Sequence, residues 1–469
     1  MEYIVTEIIK IIKESDTAIV RETKLLQLFI RLFTEALACA LETMDTELVE
    51  QYKKQGYQIE RRDRRTIQGL FGTVTYLRRR IRKEGPRAKG FYPLDTQLGL
   101  KKYQRYTALF RKRVAEVATG SVYRTTADVI NRLTLTSISH QTVGNIIKQV
   151  GRGYADWEQS QQHKVLVGET APSQLTVLCI EGDGLLIKGQ GAKQQEIHRI
   201  QISEGITRCG TRTTLVHPHY FASMDHRKLV AQVTAYLQHK YDLAHVVVVS
   251  NSDGGRGYGK DVFGSLVIGC QQHEHVLDRY HVNRKLKERL YFTEPALQDE
   301  IRQTLREYQW EPLQVLLDTA ESQAETPEEI VHVQKLRQYV ARNWISLAPL
   351  KLRKIPVSAS GIGTCESNHR IYSYRMKKQG RHGSRTGGTA MVKVITAIRN
   401  KELDQAFVGW ASGFTAPVSR TFRGTMRRVM RKIPFQTHVG VHHGCIRNTG
   451  PASSAIGKLA KSFSTPAFL

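Results

Sequence analysis

Three acidic residues occupy positions from which their carboxylates could meet. Asp183 follows the apolar run LTVLCIEG and precedes Gly184, and Asp253 follows VVVVSNS and precedes Gly254. Glu366 lies in the helix-like stretch TCESNHRIYSYRMKKQG. Mg²⁺ prefers oxygen ligands, and two such ions about 4 Å apart can activate the attacking oxygen and stabilise the leaving oxygen in phosphoryl transfer. The sequence therefore predicts that Asp183, Asp253 and Glu366 are catalytic and hold Mg²⁺ or Mn²⁺.

For either aspartate alone, an ordinary turn is the better interpretation, because Asp-Gly is a common turn dipeptide. The catalytic interpretation depends on finding both aspartates at the ends of predicted strands in a chain with strongly basic flanks.

A further acid and a histidine lie in LDRYHVNRKLK, where Asp278 and His281 can support the same site from the next strand. A structural hydrogen-bonded pair explains them equally well. The preceding His273-Glu274-His275 is not a metalloprotease HExxH motif, because Leu277 stands where the second histidine is needed. NSDGGRGYGK lacks the spacing and hydroxyl of a P-loop, which argues against nucleotide hydrolysis of that class.

The order of predicted elements favours an α/β fold with a ribonuclease-H-like core. From residue 174, three apolar strands are followed by a helix over 226–240, by the strand HVVVVSNSDGG and by further apolar segments ending at His281. The three strands are LTVLCIEGDGLLIKG, EIHRIQISEGITR and TTLVHPHYFAS. Residues 284–350 return to helical periodicity. We expect a ribonuclease-H-like catalytic core that is interrupted by an all-helical insertion.

The charge of the chain indicates a polyanionic partner. Its 469 residues include 70 Lys and Arg against 43 Asp and Glu, a net charge of +27, and such an excess most often accompanies nucleic acid binding. Residues 61–113 carry a net charge of +14 and residues 367–469 carry +16, so the rest of the chain is near −3. This distribution predicts two DNA-binding regions around a core that has a different function. A surface that binds other molecules nonspecifically is the alternative.

The first basic block contains a predicted β-hairpin. Residues 66–83, TIQGLFGTVTYLRRRIRK, are rich in β-forming residues on either side of Gly72-Thr73. Charges also protect a solvated edge strand, but five basic residues with no acid among them favour contact with DNA phosphates. The predicted DNA-binding residues of this hairpin are Arg78, Arg79, Arg80, Arg82 and Lys83.

Residues 124–151 have the pattern of a helix-turn-helix. Ser139 can cap the second helix, because its hydroxyl can accept a hydrogen bond from a free backbone N–H. The second helix would bury Val143, Ile146, Ile147 and Val150. Its outer face would then place His140, Gln141, Asn145 and Lys148 in a DNA major groove. The region is thus predicted to be a mainly helical DNA-binding domain, with plain packing of two short helices as the alternative.

Basic residues also follow the predicted catalytic acids. Arg370 and Lys377 are seven residues apart, so one helical face can track DNA. Other basic residues near the acids can contact phosphate, although surface solvation explains them as well: Arg256, Lys260, Arg375 and Lys378.

The composition excludes several classes of protein. No run of about 18 apolar residues predicts a membrane span, and the N-terminus MEYIVTEIIKIIKESD does not resemble a secretory signal. Six scattered cysteines without CxxC argue against a disulfide framework or a zinc ribbon. We therefore expect a cytoplasmic, nucleoid-associated protein. The apolar stripes of residues 1–57 predict helices that form a core or a homodimer interface.

Four motifs resemble those of bacterial insertion-sequence transposases of the ISLre family, which are related to Mutator-like transposases. The motifs are CIEGDG, VSNSDGGRGYG, LDRYHVNRKLK and GTCESNHRIYSYRMKKQG, and the resemblance covers nearly the whole chain. It implies a DDE triad of Asp183, Asp253 and Glu366, with spacings of 70 and 113 residues. It also implies that Asp278 and His281 form the DxxH element, and that the helical insertion occupies the longer spacing.

The resemblance implies a DDE transposase that binds the terminal inverted repeats of its own element as double-stranded DNA, cleaves the element end and joins it to target DNA. A ribonuclease-H-like nuclease without joining activity and a non-enzymatic DNA-binding regulator are the alternatives. The expected domains are a helical region (1–60), the hairpin and helix-turn-helix (61–155), the first part of the core (172–283), the helical insertion (284–355), the second part of the core with Glu366 (356–433) and a flexible basic tail (434–469).

Overall fold

The chain divides into two compact units, one formed by Met1–Gly153 with Asp404–Leu469 and the other by Tyr154–Leu403. A computed structural model describes residues 2–85, 88–164, 175–190, 194–209, 212–255, 257–353, 355, 363–379 and 383–407. The predictions for Arg256 and for the tail from residue 434 lie outside these residues. Among the helices that are described, none has both the length and the apolar character needed to cross a bilayer.

The first unit begins with the two helices that the sequence predicts, α1 (Glu2–Lys13) and α2 (Ala18–Lys53). Thr17 caps α2 by accepting a hydrogen bond from the backbone N–H of Val20. The helical region is shorter than predicted, because a strand already begins at Tyr57.

The predicted hairpin is present as β1 (Tyr57–Gly69) and β2 (Gly72–Lys83). The turn lies two residues earlier than expected, at Leu70-Phe71, with Gly69 paired to Gly72. Gly72 has a φ of +96°, which glycine adopts without strain. The sequence pattern therefore identified the hairpin correctly but placed its turn wrongly.

Carboxylates of α2 fix that helix to β2. Glu42 accepts a hydrogen bond from the backbone N–H of Leu77 at 2.8 Å, and Asp45 accepts one from the N–H of Arg79 at 3.3 Å. These contacts satisfy backbone donors of a strand that would otherwise be open to pairing with another chain.

Four helices follow the hairpin: α3 (Pro93–Gln97), α4 (Ala108–Gly120), α5 (Tyr123–Leu133) and α6 (His140–Lys164). The predicted helix-turn-helix corresponds to α5 and α6. Asn131 closes the turn, because its side chain accepts from the N–H of Ile138 at 2.8 Å and donates to the same residue's carbonyl at 3.0 Å. Ser139 caps α6 as predicted, by accepting from the N–H of Thr142 at 3.2 Å.

The second unit contains a mixed five-stranded sheet. Its strands are β3 (Val177–Lys188), β4 (Gln194–Ser203), β7 (His219–Ser223), β8 (Val247–Ser252) and β9 (Gln272–Leu277), and a separate ribbon pairs β5 (Ile206–Cys209) with β6 (Arg212–Leu215). The strand order in the sheet is β7-β4-β3-β8-β9. β4 is antiparallel to both of its neighbours, whereas β3, β8 and β9 run parallel to one another. The predicted strands are therefore present, although the second and third are each broken into two.

Eight helices accompany the sheet: α7 (His226–Lys240), α8 (Lys260–Leu266), α9 (Arg279–Arg289), α10 (Pro295–Glu307), α11 (Trp310–Ser322), α12 (Pro327–Leu347), α13 (Cys365–Met376) and α14 (Arg385–Arg399). The bounds of α7 match the prediction. Helices α9 to α12 share an apolar core and separate β9 from α13, so the predicted helical insertion is present and begins slightly earlier than expected.

The two faces of the sheet have different partners. Leu178, Ile180 and Val248 pack with residues of α7 and α8. Cys179 and Val249, one position along on the same strands, belong to a separate apolar cluster on the other face. Because side chains alternate along a strand, residues 181, 183 and 251 lie on the second face with Cys179.

A chain of hydrogen bonds fixes the end of β8. Ser250 Oγ lies 2.8 Å from His273 Nε2 and 2.9 Å from His275 Nδ1, and Ser252 Oγ lies 3.5 Å from His275 Nε2. Ser252 also donates to the carbonyl of Tyr258. Since Ser252 uses its only proton in that bond, His275 must donate to it from Nε2. Burial lowers the pKa of His275 to about 4, with the charges of His273, Arg353 and Lys260 acting in the same direction. The ring is therefore neutral near pH 7, and its Nδ1 accepts from Ser250.

This buried histidine predicts a loss of stability in mild acid. The unfolded chain takes up the His275 proton near pH 6.5 but the folded chain only near pH 4. Because the folded pKa is lowered, the stabilisation is complete above about pH 6.5 and is lost as the pH falls towards 4. We expect a contribution of about 2 kcal/mol to the loss between pH 7.5 and 5. In urea titrations across that range, His275→Gln should flatten the pH dependence, whereas the exposed His245→Gln should retain it. Equal slopes for both variants would contradict a neutral His275.

Candidate active site

Three predicted acids lie just past the segments over which β3, β8 and β9 pair with one another. The β3–β8 register ends where Glu181 pairs with Asn251, and Asp183 and Asp253 each follow two residues later. Extension of the β8–β9 register places Asp278 beside Asp253. Neighbouring strands are about 4.8 Å apart. The sheet thus directs Asp183, Asp253 and Asp278, which are widely separated in sequence, to the same edge of its parallel strands.

Asp183 is buried and both of its carboxylate oxygens are engaged. Oδ1 accepts from the backbone N–H of Gly184 at 2.6 Å, and Oδ2 lies 2.6 Å from His369 Nε2. His369 lies on α13, one helical turn after Glu366. The contact therefore joins the middle of β3 to the helix that carries the third predicted acid.

His369 also links Asp183 to an arginine on β4. Arg199 pairs with Asp183 across the β3–β4 register, is 2% exposed and has its Nη1 2.5 Å from His369 Nδ1. A guanidinium can only donate hydrogen bonds, so Nδ1 accepts and Nε2 donates to Asp183. His369 is therefore a neutral imidazole that connects the carboxylate to the guanidinium.

Glu181 anchors the first turn of α13. Its carboxylate accepts from the backbone N–H of Thr364 at 2.7 Å, from the N–H of Cys365 at 2.9 Å and from the Thr364 hydroxyl at 2.8 Å. The first N–H groups of a helix have no partner within the helix and attract negative charge. Burial raises the pKa of Glu181, against the opposing effect of these hydrogen bonds. The strand that carries Asp183 therefore also sets the start of α13.

Glu366 is the second residue of α13, so its backbone lies in the turn that Glu181 anchors. The helix itself is as the sequence predicts. The side chain of Glu366 is outside the part of the chain that the structure describes, so its role in the triad stays a prediction.

Asp253 begins the loop after β8 and accepts a hydrogen bond from the N–H of Gly255 at 2.7 Å. Burial, and then the charges of Asp253 and Asp278, raise the pKa of Tyr339 on α12 to about 12. One helix of the insertion therefore carries a side chain that is electrostatically coupled to these acids.

The sequence analysis expected Asp278 and His281 on the next strand, but neither residue lies on a strand. β9 ends at Leu277, and Asp278 caps α9 by accepting from the N–H of Tyr280 at 2.9 Å. His281 Nε2 lies 3.9 Å from Asp278 Oδ2. The strand ends early because an aspartate at this position favours a helix start, and the pair still lies beside Asp253.

The donor set suits a hard cation by type. Asp183 on β3 and Asp253 after β8 offer carboxylate oxygens. Asn251, on the same face as Asp183, is 1% exposed, and its amide has no hydrogen-bond partner among the described residues. Buried polar groups nearly always have such a partner, so this amide is available to a bound group. Within the described residues, no three His, Cys, Asp or Glu side chains form a group that could hold a metal. Asp183 is turned towards His369, and the carboxylate of Glu366 is not among the described atoms.

Three of the five predicted DNA-binding residues of the hairpin have structural partners. Arg78 is buried, forms an ion pair with Asp95 and lies over the ring of Tyr92. Arg79 pairs with Asp45 at 2.7 Å, and Arg80 pairs with Glu60 at 2.8 Å. These ion pairs help to stabilise the fold. The sequence did not reveal them, because the acidic partners are distant in the chain or on the facing strand. Arg82 and Lys83 at the end of β2 are exposed.

The remaining predicted DNA-binding residues lie at the surface. The exposed residues are His140, Gln141, Asn145 and Lys148 on α6, and Arg370 and Lys377 at α13. α13 ends at Met376, so Lys377 caps the helix rather than continuing its face. Arg375 is buried and Lys378 and Lys260 are exposed.

Sequence reasoning missed four residues of the site: Glu181, Arg199, His369 and Tyr339. Two of them had a detectable signal. Glu181 lies two residues before Asp183, and the period of a strand puts both on one face. His369 lies three residues after Glu366, and the period of a helix puts them on adjacent turns. Arg199 and Tyr339 depend on contacts between distant segments and had no such signal.

The anchor of α13 gives a direct prediction. Glu181→Ala should release the first turn of α13 and lower the free energy of unfolding by about 3 kcal/mol, because buried hydrogen bonds to a charged group are lost. Hydrogen exchange of a peptide covering 364–376 should accelerate, while a peptide covering α7 should keep its rate. The exposed Glu300→Ala is the matched control. Unchanged exchange of α13 in Glu181→Ala would show that another contact holds the helix.

Comparison with known sequences places the whole chain in one group. A curated relative from Streptococcus gallolyticus, described as "UPF0236 protein in vanSb 3'region", is 36% identical over 460 residues, which cover 98% of this chain and 99% of the relative. Residues 17–411 match the profile described as "Uncharacterised protein family (UPF0236)". The chain therefore belongs to the uncharacterised protein family UPF0236.

Proposed function

We propose that the protein is a DDE transposase that cleaves the ends of its own insertion sequence and joins them to target DNA. The observation that carries the proposal is the common position of the acids: Asp183 and Asp253 each follow the paired segment of adjacent parallel strands by two residues, and β3 also anchors the helix of Glu366 through Glu181.

The order β7-β4-β3-β8-β9, with β4 antiparallel to its neighbours, supports a ribonuclease-H-like core as the finer description of the fold. In chain order this is 3-2-1-4-5 for the five strands of the sheet. The helices α9 to α12 lie between β9 and α13, which agrees with the insertion that the resemblance to ISLre transposases implies.

Asp183, Asp253 and Glu366 would together hold Mg²⁺ or Mn²⁺. When bound, the cation would neutralise phosphate charge and polarise the oxygens that attack and leave. The protein's own part would be positioning. Glu181 fixes α13, and the buried chain ending at Ser252 fixes the loop of Asp253. Water would attack the phosphodiester at the element end, breaking its P–O3′ bond, and the released 3′-hydroxyl would then attack a target phosphodiester, with a target 3′-oxygen leaving.

Charge and exposed side chains support DNA as the substrate. The net charge is +27, and residues 408–469 contain nine Lys or Arg and no Asp or Glu. On α6, the exposed His140, Gln141, Asn145 and Lys148 have the spacing of a helix that reads a major groove. A dimer or higher oligomer would follow from the need to hold two element ends together.

The proposal predicts strand transfer in vitro. The purified protein, a labelled pre-cleaved element end, a target plasmid and Mg²⁺ should give joined product. Asp183→Asn, Asp253→Asn and Glu366→Gln should each reduce joining at least a hundredfold, on the order of the loss when one group that stabilises the transition state is removed, while DNA binding persists. The exposed Asp261→Asn is the control and should join normally.

Cleavage without joining would instead favour a ribonuclease-H-like nuclease. Tight DNA binding with neither product, unaffected by Asp183→Asn, would favour a DNA-binding regulator. Either result would contradict the proposal that the protein is a transposase.

A further inference from the structure

The segment between α3 and α4 forms a tight turn that presents an aromatic ring to solvent. The backbone N–H of Gln104 donates to the carbonyl of Lys101 at 3.1 Å, and the Gln104 side chain accepts from the Lys101 N–H at 3.3 Å. Tyr103, the third residue of the turn, has a φ of +64° and is 80% exposed. Glycine is the usual residue with such a φ in a turn. A large, exposed side chain at this position is therefore not explained by packing.

The turn is fixed to the hairpin of the first unit. Arg65 of β1 donates from Nη2 to the carbonyls of Lys101 at 2.9 Å and Gln104 at 3.0 Å. The N–H of Gln68 donates to the carbonyl of Arg105 at 2.8 Å. These bonds hold the backbone of the turn, including the left-handed conformation of Tyr103.

The turn forms one wall of a cleft of about 470 Å³, and the first half of α6 forms the other wall. Asn145 and Gln149 of α6 line the cleft with exposed amide side chains. None of the described residues that line it is acidic. The exposed basic residues of the turn are Lys101, Lys102 and Arg105.

This combination of groups matches the chemistry of an unpaired nucleotide. An aromatic ring can stack on any base, and basic residues beside it can contact the phosphate. Lys102 Nζ lies over one face of the Tyr103 ring, 4.8 Å from its centre, so a base would stack on the opposite face with the ammonium group close to its phosphate. A paired duplex hides its base faces within the stack, whereas an unpaired base exposes both its face and its hydrogen-bonding edge. The volume is also within the range of pockets for small ligands, about 300–1,000 Å³.

We propose that this cleft binds an unpaired nucleotide of a DNA strand, with the base stacked on Tyr103, its edge hydrogen-bonded by Asn145 and Gln149, and its phosphates contacted by the basic residues of the turn. The inference rests on the proposed function for the identity of the nucleic acid as DNA. It assigns the first unit a second mode of DNA contact, which shares Asn145 with the groove-reading face of α6.

The test compares binding of single-stranded and duplex DNA by the full-length protein. Fluorescence anisotropy with labelled (dT)12 should show that Tyr103→Ala weakens binding about tenfold, whereas Tyr103→Phe stays within about twofold, because phenylalanine stacks as well. Binding of a blunt duplex should change less than about twofold in both variants. Lys102→Gln should reduce the slope of log affinity against log salt for the single strand by about 0.7.

A second measurement locates the contact, since other basic residues of the chain can also bind single strands. An oligonucleotide carrying 5-iodouracil should crosslink on irradiation to a peptide containing Tyr103, and Tyr103→Ala should abolish that crosslink. Tyr291→Ala, which removes another exposed tyrosine, is the control and should leave affinity and crosslink unchanged.

Equal affinity of Tyr103→Ala and wild type for (dT)12, with no crosslink at residues 101–106, would overturn the inference. If the wild type nevertheless joins DNA ends, the proposed function stands without it. If single strands bind through Tyr103 but no joining occurs, the cleft assignment stands and the transposase proposal fails.

Discussion

The second unit depends on one buried carboxylate. Glu181 lies on β3 two residues before Asp183 and accepts three hydrogen bonds from the start of α13. A helix start has several N–H groups without partners, and a charged group removed from water needs compensation, so the two satisfy each other. As a result, the strand that carries the first predicted catalytic acid also fixes the helix that carries the third.

Asp253 and Asp278 are also held by the elements that they follow. Asp253 follows a strand whose last serine is held by His275, and Asp278 both ends β9 and caps α9. Asp253 and Asp278 thus stand where a regular element stops. The neutral His369 lies between Asp183 and Arg199 and fixes the position of the buried Asp183 carboxylate.

Periodicity predicted the elements well where their residues are strongly patterned. The bounds of α7, the strands around Asp183 and Asp253 and the insertion were all anticipated, because apolar alternation and helical spacing are local properties. The ion pairs of the β2 arginines were not predicted. Arg78, Arg79 and Arg80 pair with Asp95, Asp45 and Glu60, and only the folded chain brings these partners together. Tyr103 escaped notice for a similar reason: its backbone conformation depends on Arg65, which is far away in sequence.

The most direct test of the central claim is to map the cation site with Fe²⁺ in place of Mg²⁺. With ascorbate and peroxide, bound iron generates radicals that cut the nearby backbone. The account predicts three cuts, near Asp183 on β3, near Asp253 after β8 and near Glu366 at the start of α13, all suppressed by excess Mg²⁺ and lost together in Asp183→Asn/Asp253→Asn. Cuts confined to other segments, or cuts that persist in the double variant, would show that these acids do not form one metal site.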